Sequence, residues 1–192
     1  MKMKIISVTG AHSGVGKTSL AALILREIKG FSAIKVTKTE LFTSLTMDEE
    51  VISEKGKDSC ILKESGADKV IWVRSTYEDI KECLTQAVSM IGNSRGVIIE
   101  GNSPLDFIEP DLVIFLMKDD LTEMKASGRK ALERADLVVI NTKLNDPETL
   151  KKEIRDINPV AVVFLGDLSG GKIEKGFLDT VKKRIIMEVT CG

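Results

Sequence analysis

The chain has 192 residues, of which 43% are hydrophobic and 30% charged, and a formal net charge of −1. That length suits one domain, residues 1–192, with a sizeable buried core. Near-zero charge gives no electrostatic ground for nucleic acid or an anionic membrane as partner. No apolar run approaches the roughly 20 residues that span a bilayer. Cys60, Cys83 and Cys191 share no metal-ligand spacing, and their odd number fits a reducing, cytoplasmic setting. With His12 the only histidine, zinc clusters and histidine-based triads find little support.

The first apolar run, Ile5–Thr9, is too short for a signal peptide and reads as a strand. It leads into "GAHSGVGKTS", Gly10 to Ser19. This is the strand-to-helix loop G-x-x-x-x-G-K-[ST], with Ala11 in place of the first glycine and Gly10 beside it. Such a loop wraps backbone N–H groups around phosphate oxygens, which here assigns the nucleotide to Ser13, Gly14, Val15, Gly16, Lys17, Thr18 and Ser19. Lys17 supplies positive charge to the β- and γ-phosphates, and the Thr18 hydroxyl suits Mg²⁺. His12 reads as a solvent-facing or ribose-side loop residue and not as a catalyst.

A helix is predicted over Thr18–Lys29, stopped by Gly30, then a weak strand over Ala33–Val36. The polar, acidic stretch 38–57 reads as a lid or a loosely ordered loop. Asp58 or Ser59 is a good helix N-cap, and Gly66 a good helix stop. Val70–Val73 predicts a strand, and Tyr77–Ile91 a helix with Ile80, Leu84, Ala87, Val88 and Ile91 on one face. The strand Val97–Ile99 ends in Glu100-Gly101, where a carboxylate can hold Mg²⁺ or orient a reacting water.

Leu112–Leu116 is the next strand. Asp111 sits at its N-terminal end, away from the ligand edge, whereas Asp119 and Asp120 follow its C-terminal end, where they either border the site or, the favoured reading, start a helix over Leu121–Arg134. Leu137–Ile140 leads to Asn141 and Lys143, which could contact a nucleotide base. Leu144 stands where a guanine-selective pattern wants a carboxylate, so the base stays open between ATP and GTP. A helix over Pro147–Ile157, with Asp146 as N-cap, and a strand over Val160–Leu165 complete the series. Apolar strands alternating with helices define an α/β, three-layer, doubly wound and mostly parallel sheet, the P-loop NTPase fold.

"SGVGKTSL", "AIKVTK", "GKDSCILKESGADKVIWVRS" and "VIIEG" occur in the order seen in molybdopterin-guanine dinucleotide biosynthesis protein B (MobB), which the chain resembles over roughly its first half. That family is similar to hydrogenase and urease accessory GTPases and to dethiobiotin synthetase, which the segment from Asp111 onward resembles more. The likeness implies Mg²⁺-dependent binding and hydrolysis of ATP or GTP, with Lys17 and Glu100 catalytic and Thr18 and Glu100 on the metal. It also implies a homodimer and a protein partner in molybdenum-cofactor or other metallocentre assembly. The alternatives are a small-molecule kinase or ligase, with an anionic substrate near Lys35, Lys38 and Asn102-Ser103, and a nucleotide-binding module without turnover.

Overall fold

The computed structural model describes residues 2–121, 124–143 and 147–186. Its strands are β1 (Lys4–Gly10), β2 (Phe31–Lys38), β3 (Ser44–Thr46), β4 (Val70–Ser75), β5 (Gly96–Glu100), β6 (Leu112–Met117), β7 (Leu137–Asn141), β8 (Val162–Asp167) and β9 (Lys172–Ile173). The helices are α1 (Lys17–Glu27), α2 (Glu49–Ile52), α3 (Asp58–Glu64), α4 (Ile80–Ile91), α5 (Ala126–Glu133), α6 (Glu148–Ile157) and α7 (Phe177–Ile186).

The strands form one sheet in the order β3-β4-β2-β5-β1-β6-β7-β8-β9. All neighbours are parallel except the two edge strands, β3 on β4 and β9 on β8, which run antiparallel. The parallel strands are continuous Val/Ile/Leu runs because helices cover both faces. On one face Leu20, Ala21, Ile24 and Leu25 of α1 pack with Ile6, Ile98 and Ala33 of the sheet and with Leu62 of α3. On the other, Ile80, Leu84, Ala87 and Ile91 of α4 close over Ile34, Ile71, Val73 and Ile99. The predicted α/β doubly wound fold is the observed one.

Several boundaries differ from the predicted ones for local reasons. Helix α1 ends at Glu27 with Ile28 extended, and Gly30, at φ 81°, turns the chain into β2 instead of stopping the helix. Helix α4 begins at Ile80, because Tyr77 is drawn off to donate to Asp106 Oδ2 at 2.8 Å. Asp119 and Asp120 are not part of a helix, and α5 starts only at Ala126. Lys57 occupies the N-cap position of α3, and Asp58 is its first residue. At the other end Gly66 behaves as predicted: its N–H donates to Lys63 O at 3.0 Å and that of Ala67 to Leu62 O at 3.4 Å, the double bond that closes a helix on a left-handed glycine. Asp146, Leu144 and Cys191 lie outside the described residues.

The stretch 38–57 is not a bare loop. It contains β3 and α2, with Asp48 capping α2 through a 2.9 Å bond from Glu50 N–H and Ile52 buried. No element is predicted beyond Leu165, where the structure adds β9 and α7; Phe177 of α7 meets Phe164 of β8 edge-on.

Candidate nucleotide-binding site

The loop from Gly10 to Gly16 joins the C-terminal end of β1 to α1, at the centre of the sheet and on the edge where ligands collect in such folds. Gly14 and Gly16 have φ of 77° and 105°, which side chains other than glycine rarely tolerate. Ala11 has no such demand: it is buried, its N–H donates to Leu116 O at 2.9 Å, and its carbonyl accepts from Lys125 N–H. The position that does require glycine is Gly10, where a Cβ would come within 2.8 Å of Leu116 O and 2.7 Å of Val15 Cγ2. The irregular first position of the motif is thus stereochemically harmless.

Helix α1 starts from Gly16 without a side-chain cap, and its first residues, Lys17 to Ser19, line the cavity with the positive end of the helix dipole. Two asparagines brace the loop. Asn102 accepts from Gly10 N–H at 2.9 Å and donates to Gly10 O at 2.8 Å, stapling β1 to the chain after β5. Asn141 donates to Val15 O at 2.9 Å and accepts from Leu168 N–H at 3.0 Å.

In front of the loop lies a cavity of about 1030 Å³ lined by His12, Ser13, Gly14, Gly16, Lys17, Thr18 and Ser19, and across from them by Lys35, Asp58 and Glu100. Five lysines (17, 35, 38, 125 and 130) face three carboxylates (58, 100 and 106) in its wall, which favours an anion. Lys17 Nζ folds back to donate to His12 O at 2.9 Å. Burial pulls its pKa below the ordinary lysine value, with the nearby Lys35 and Lys125 charges adding to this and Glu100 opposing it. His12 is half-buried, with Nδ1 2.6 Å from Ser13 O.

The metal side is built from side chains. Thr18 Oγ1 donates to Glu100 Oε2 at 2.8 Å, and Lys35 Nζ lies 2.8 Å from Glu100 Oε1 and 2.5 Å from Asp58 Oδ2. Burial alone would lower the Lys35 pKa, but the two carboxylates outweigh it and the net shift is upward. A hydroxyl and two carboxylates converging beside a phosphate loop are the oxygen donors Mg²⁺ accepts when phosphate and water complete its shell. Asp58 escapes sequence reasoning as a metal-side residue, because its position at the start of a short helix is equally explained by capping.

The predicted residues are not all brought to this cavity. Val15 has a buried side chain and can offer a phosphate only its N–H, its carbonyl being held by Asn141. Asn141 lies behind the loop with both ends of its amide engaged. Lys143 lines a separate, shallower cavity of about 450 Å³ with Thr142, Asp167, Lys172 and Glu174. Asn102 is a brace of the loop instead of an open donor for substrate, while Ser103 and Lys38 do face the main cavity. Asp111 sits at the opposite edge of the sheet, as predicted, accepting from Lys4 Nζ at 3.0 Å and Ile5 N–H at 2.8 Å. Cys60 and Cys83 are buried free thiols.

Fold and loop together define the class: the chain has the P-loop NTPase fold. No family model and no curated protein sequence matches it. Among solved structures, it is similar to the hydrogenase maturation factor HypB from Archaeoglobus fulgidus, with TM-score 0.63, 18% identity, and 95% of this chain and 90% of that one covered. HypB from Helicobacter pylori, solved in complex with nickel, gives TM-score 0.58 and 15% identity over 95% and 87% of the two chains. The Zn(II)-bound YjiA GTPase from E. coli gives 0.52 and 16%, covering 93% of this chain and 61% of that one. No helix among the described residues is long and apolar enough to cross a membrane.

Proposed function

We propose that the chain is a Mg²⁺-dependent NTPase that binds ATP or GTP and uses it to assist metallocentre or cofactor assembly. The observation that carries this reading is the uncapped α1 N-terminus behind Gly14, Gly16 and Lys17, facing Thr18, Glu100 and Asp58 across one cavity. The backbone N–H groups of Ser13 to Ser19 hold the phosphates, and Lys17 leaves His12 O to neutralise the terminal ones. Thr18, Glu100 and Asp58 would hold Mg²⁺, which when bound neutralises charge developing on the transferred phosphoryl group. Glu100, nearly buried, orients the attacking water on the metal side. Asn141 sets the loop's depth, and Lys143, in the separate second cavity, is the base-side candidate of this reading.

The assembly role is supported by the MobB-like segments in the first half of the chain and by the structural likeness to HypB, a maturation factor, and to the YjiA GTPase. Metal or molybdenum cofactor would be cargo of that process, delivered with a protein partner or by a homodimer. Phosphate release with ATP and with GTP, in Mg²⁺ and in EDTA, tests the reading: turnover that needs Mg²⁺ is expected, and no turnover with either nucleotide would refute the hydrolytic role.

A second reading, a kinase or ligase, is favoured by one observation. The cavity continues past the phosphate loop to Lys38, Ser103, Lys125, Ser127 and Lys130, donors suited to a small anionic acceptor. Phosphate release that appears only with such an acceptor present would select it.

A further inference from the structure

The metal side of the cavity already contains a cation. Lys35 Nζ lies 2.8 Å from Glu100 Oε1, 2.5 Å from Asp58 Oδ2 and 3.5 Å from Thr18 Oγ1. Those are the three groups assigned above to Mg²⁺. The Glu100 side chain is 4% exposed and that of Lys35 17%, so water screens their attraction poorly. Without a positive charge between them, two carboxylates reaching for the same point would repel each other.

We propose that Lys35 is a built-in counter-cation that keeps the metal site closed in the nucleotide-free protein, and that Mg²⁺ arriving with the nucleotide displaces its ammonium from Glu100 and Asp58. The proposal rests on the reading of Thr18 and Glu100 as the metal side. Two cations cannot share one set of oxygens a few ångströms apart, because their repulsion grows as their separation and screening fall. A tethered ammonium is present at high effective concentration and excludes a weakly held free metal. Mg²⁺ bound to a triphosphate has an advantage free Mg²⁺ lacks: the loop holds its phosphates, so the ion is delivered to Glu100 as an intramolecular event.

The displacement has a path outward. Asp58 is the first residue of α3, and the adjacent Ser59 donates to Ile52 O of α2 at 3.1 Å, so freeing Asp58 acts on both helices. It also has a reporter. Trp72, the single tryptophan of the chain, is the register partner of Lys35 on β4, and its Nε1–H donates to Thr37, two residues along β2 on the same face.

The test measures Mn²⁺ binding by electron paramagnetic resonance, with Mn²⁺ standing in for Mg²⁺, on the full chain without nucleotide and with a non-hydrolysable triphosphate. The wild type should bind Mn²⁺ weakly alone and at least about 10-fold more tightly with nucleotide. Lys35→Met should tighten nucleotide-free Mn²⁺ binding by about 10-fold or more, while Lys35→Arg, which keeps the charge, stays near wild type. Wild-type Trp72 emission should change with Mg²⁺ and nucleotide together and not with either alone, a readout that needs no substitution. Unchanged or weaker nucleotide-free Mn²⁺ binding in folded Lys35→Met, with nucleotide binding intact, overturns the counter-cation and spares the nucleotide site. A Trp72 signal that does not respond to the combination does the same. Failure of the wild type to bind any triphosphate defeats the underlying reading, and this proposal with it.

Discussion

The phosphate loop and the metal-side cluster meet at Thr18 but are held in opposite ways. The loop is fixed by backbone geometry and neutral clamps: left-handed Gly14 and Gly16, Asn102 on Gly10 and Asn141 on Val15. The cluster of Lys35, Asp58 and Glu100 is held mainly by charge, with Thr18 donating one neutral bond to Glu100, and a different cation can reorganise it. An anion can bind the first without rearrangement of its backbone, which lowers the ordering cost of binding. The second is arranged to respond to what binds.

That contrast breaks most sharply at Lys17. Lys17→Ala should weaken triphosphate binding by at least about 100-fold, since a charge-assisted contact in a partly buried site is lost. Its melting temperature should stay close to wild type, because among the described residues the one side-chain hydrogen bond removed is that to His12 O. A loss of fold in this variant would show that the loop is not self-supporting. Glu100→Gln separates the two regions: hydrolysis should fall about 100-fold while nucleotide affinity changes only a few-fold, as for a group acting mainly in the transition state. Equal loss of both, measured by single-turnover kinetics and calorimetry, would reject its assigned role.

Asn141→Ala sharpens the neutral side. It leaves Val15 O and Leu168 N–H without their partner, at a cost of about 2 kcal/mol. For a chain of this size that is a fall in melting temperature of about 4–8 °C. The smallest effect lies far from the site. Burial alone would raise the Asp111 carboxyl, but the Ile5 N–H and Lys4 hold it below the ordinary value of 3.8. Its contribution is therefore present above the ordinary carboxylate range and is lost as pH falls through the depressed folded value. Asp111→Asn should cost about 1 kcal/mol at neutral pH. The gap to wild type should close in acid below pH 3.8; a pH-independent gap would argue against the ion pair.

What the sequence reveals of this site follows the distance over which each feature is encoded. Gly14, Gly16, Lys17 and Thr18 sit in one short run, and their arrangement was readable there because φ demands and phosphate chemistry act locally. Glu100 was readable from its place at the end of a buried strand. The roles of Asn102 and Asn141 were not, because their loop partners lie 92 and 126 positions away along the chain. Lys35 reads as a donor for an anionic substrate and Asp58 as a helix-start aspartate, and their pairing shows only once β2 and α3 are packed together. The edge strands β3 and β9 escape for another reason: at three and two residues they are too short to carry a periodic pattern.

The central claim is that this cavity takes a triphosphate together with Mg²⁺. Calorimetry of the wild-type chain with non-hydrolysable ATP and GTP analogues, with and without Mg²⁺, tests it most directly. Saturable binding of at least one analogue, tightened by Mg²⁺ and abolished in Lys17→Ala, is the predicted result. Absence of binding to both analogues, or binding that Lys17→Ala leaves unchanged, would contradict it.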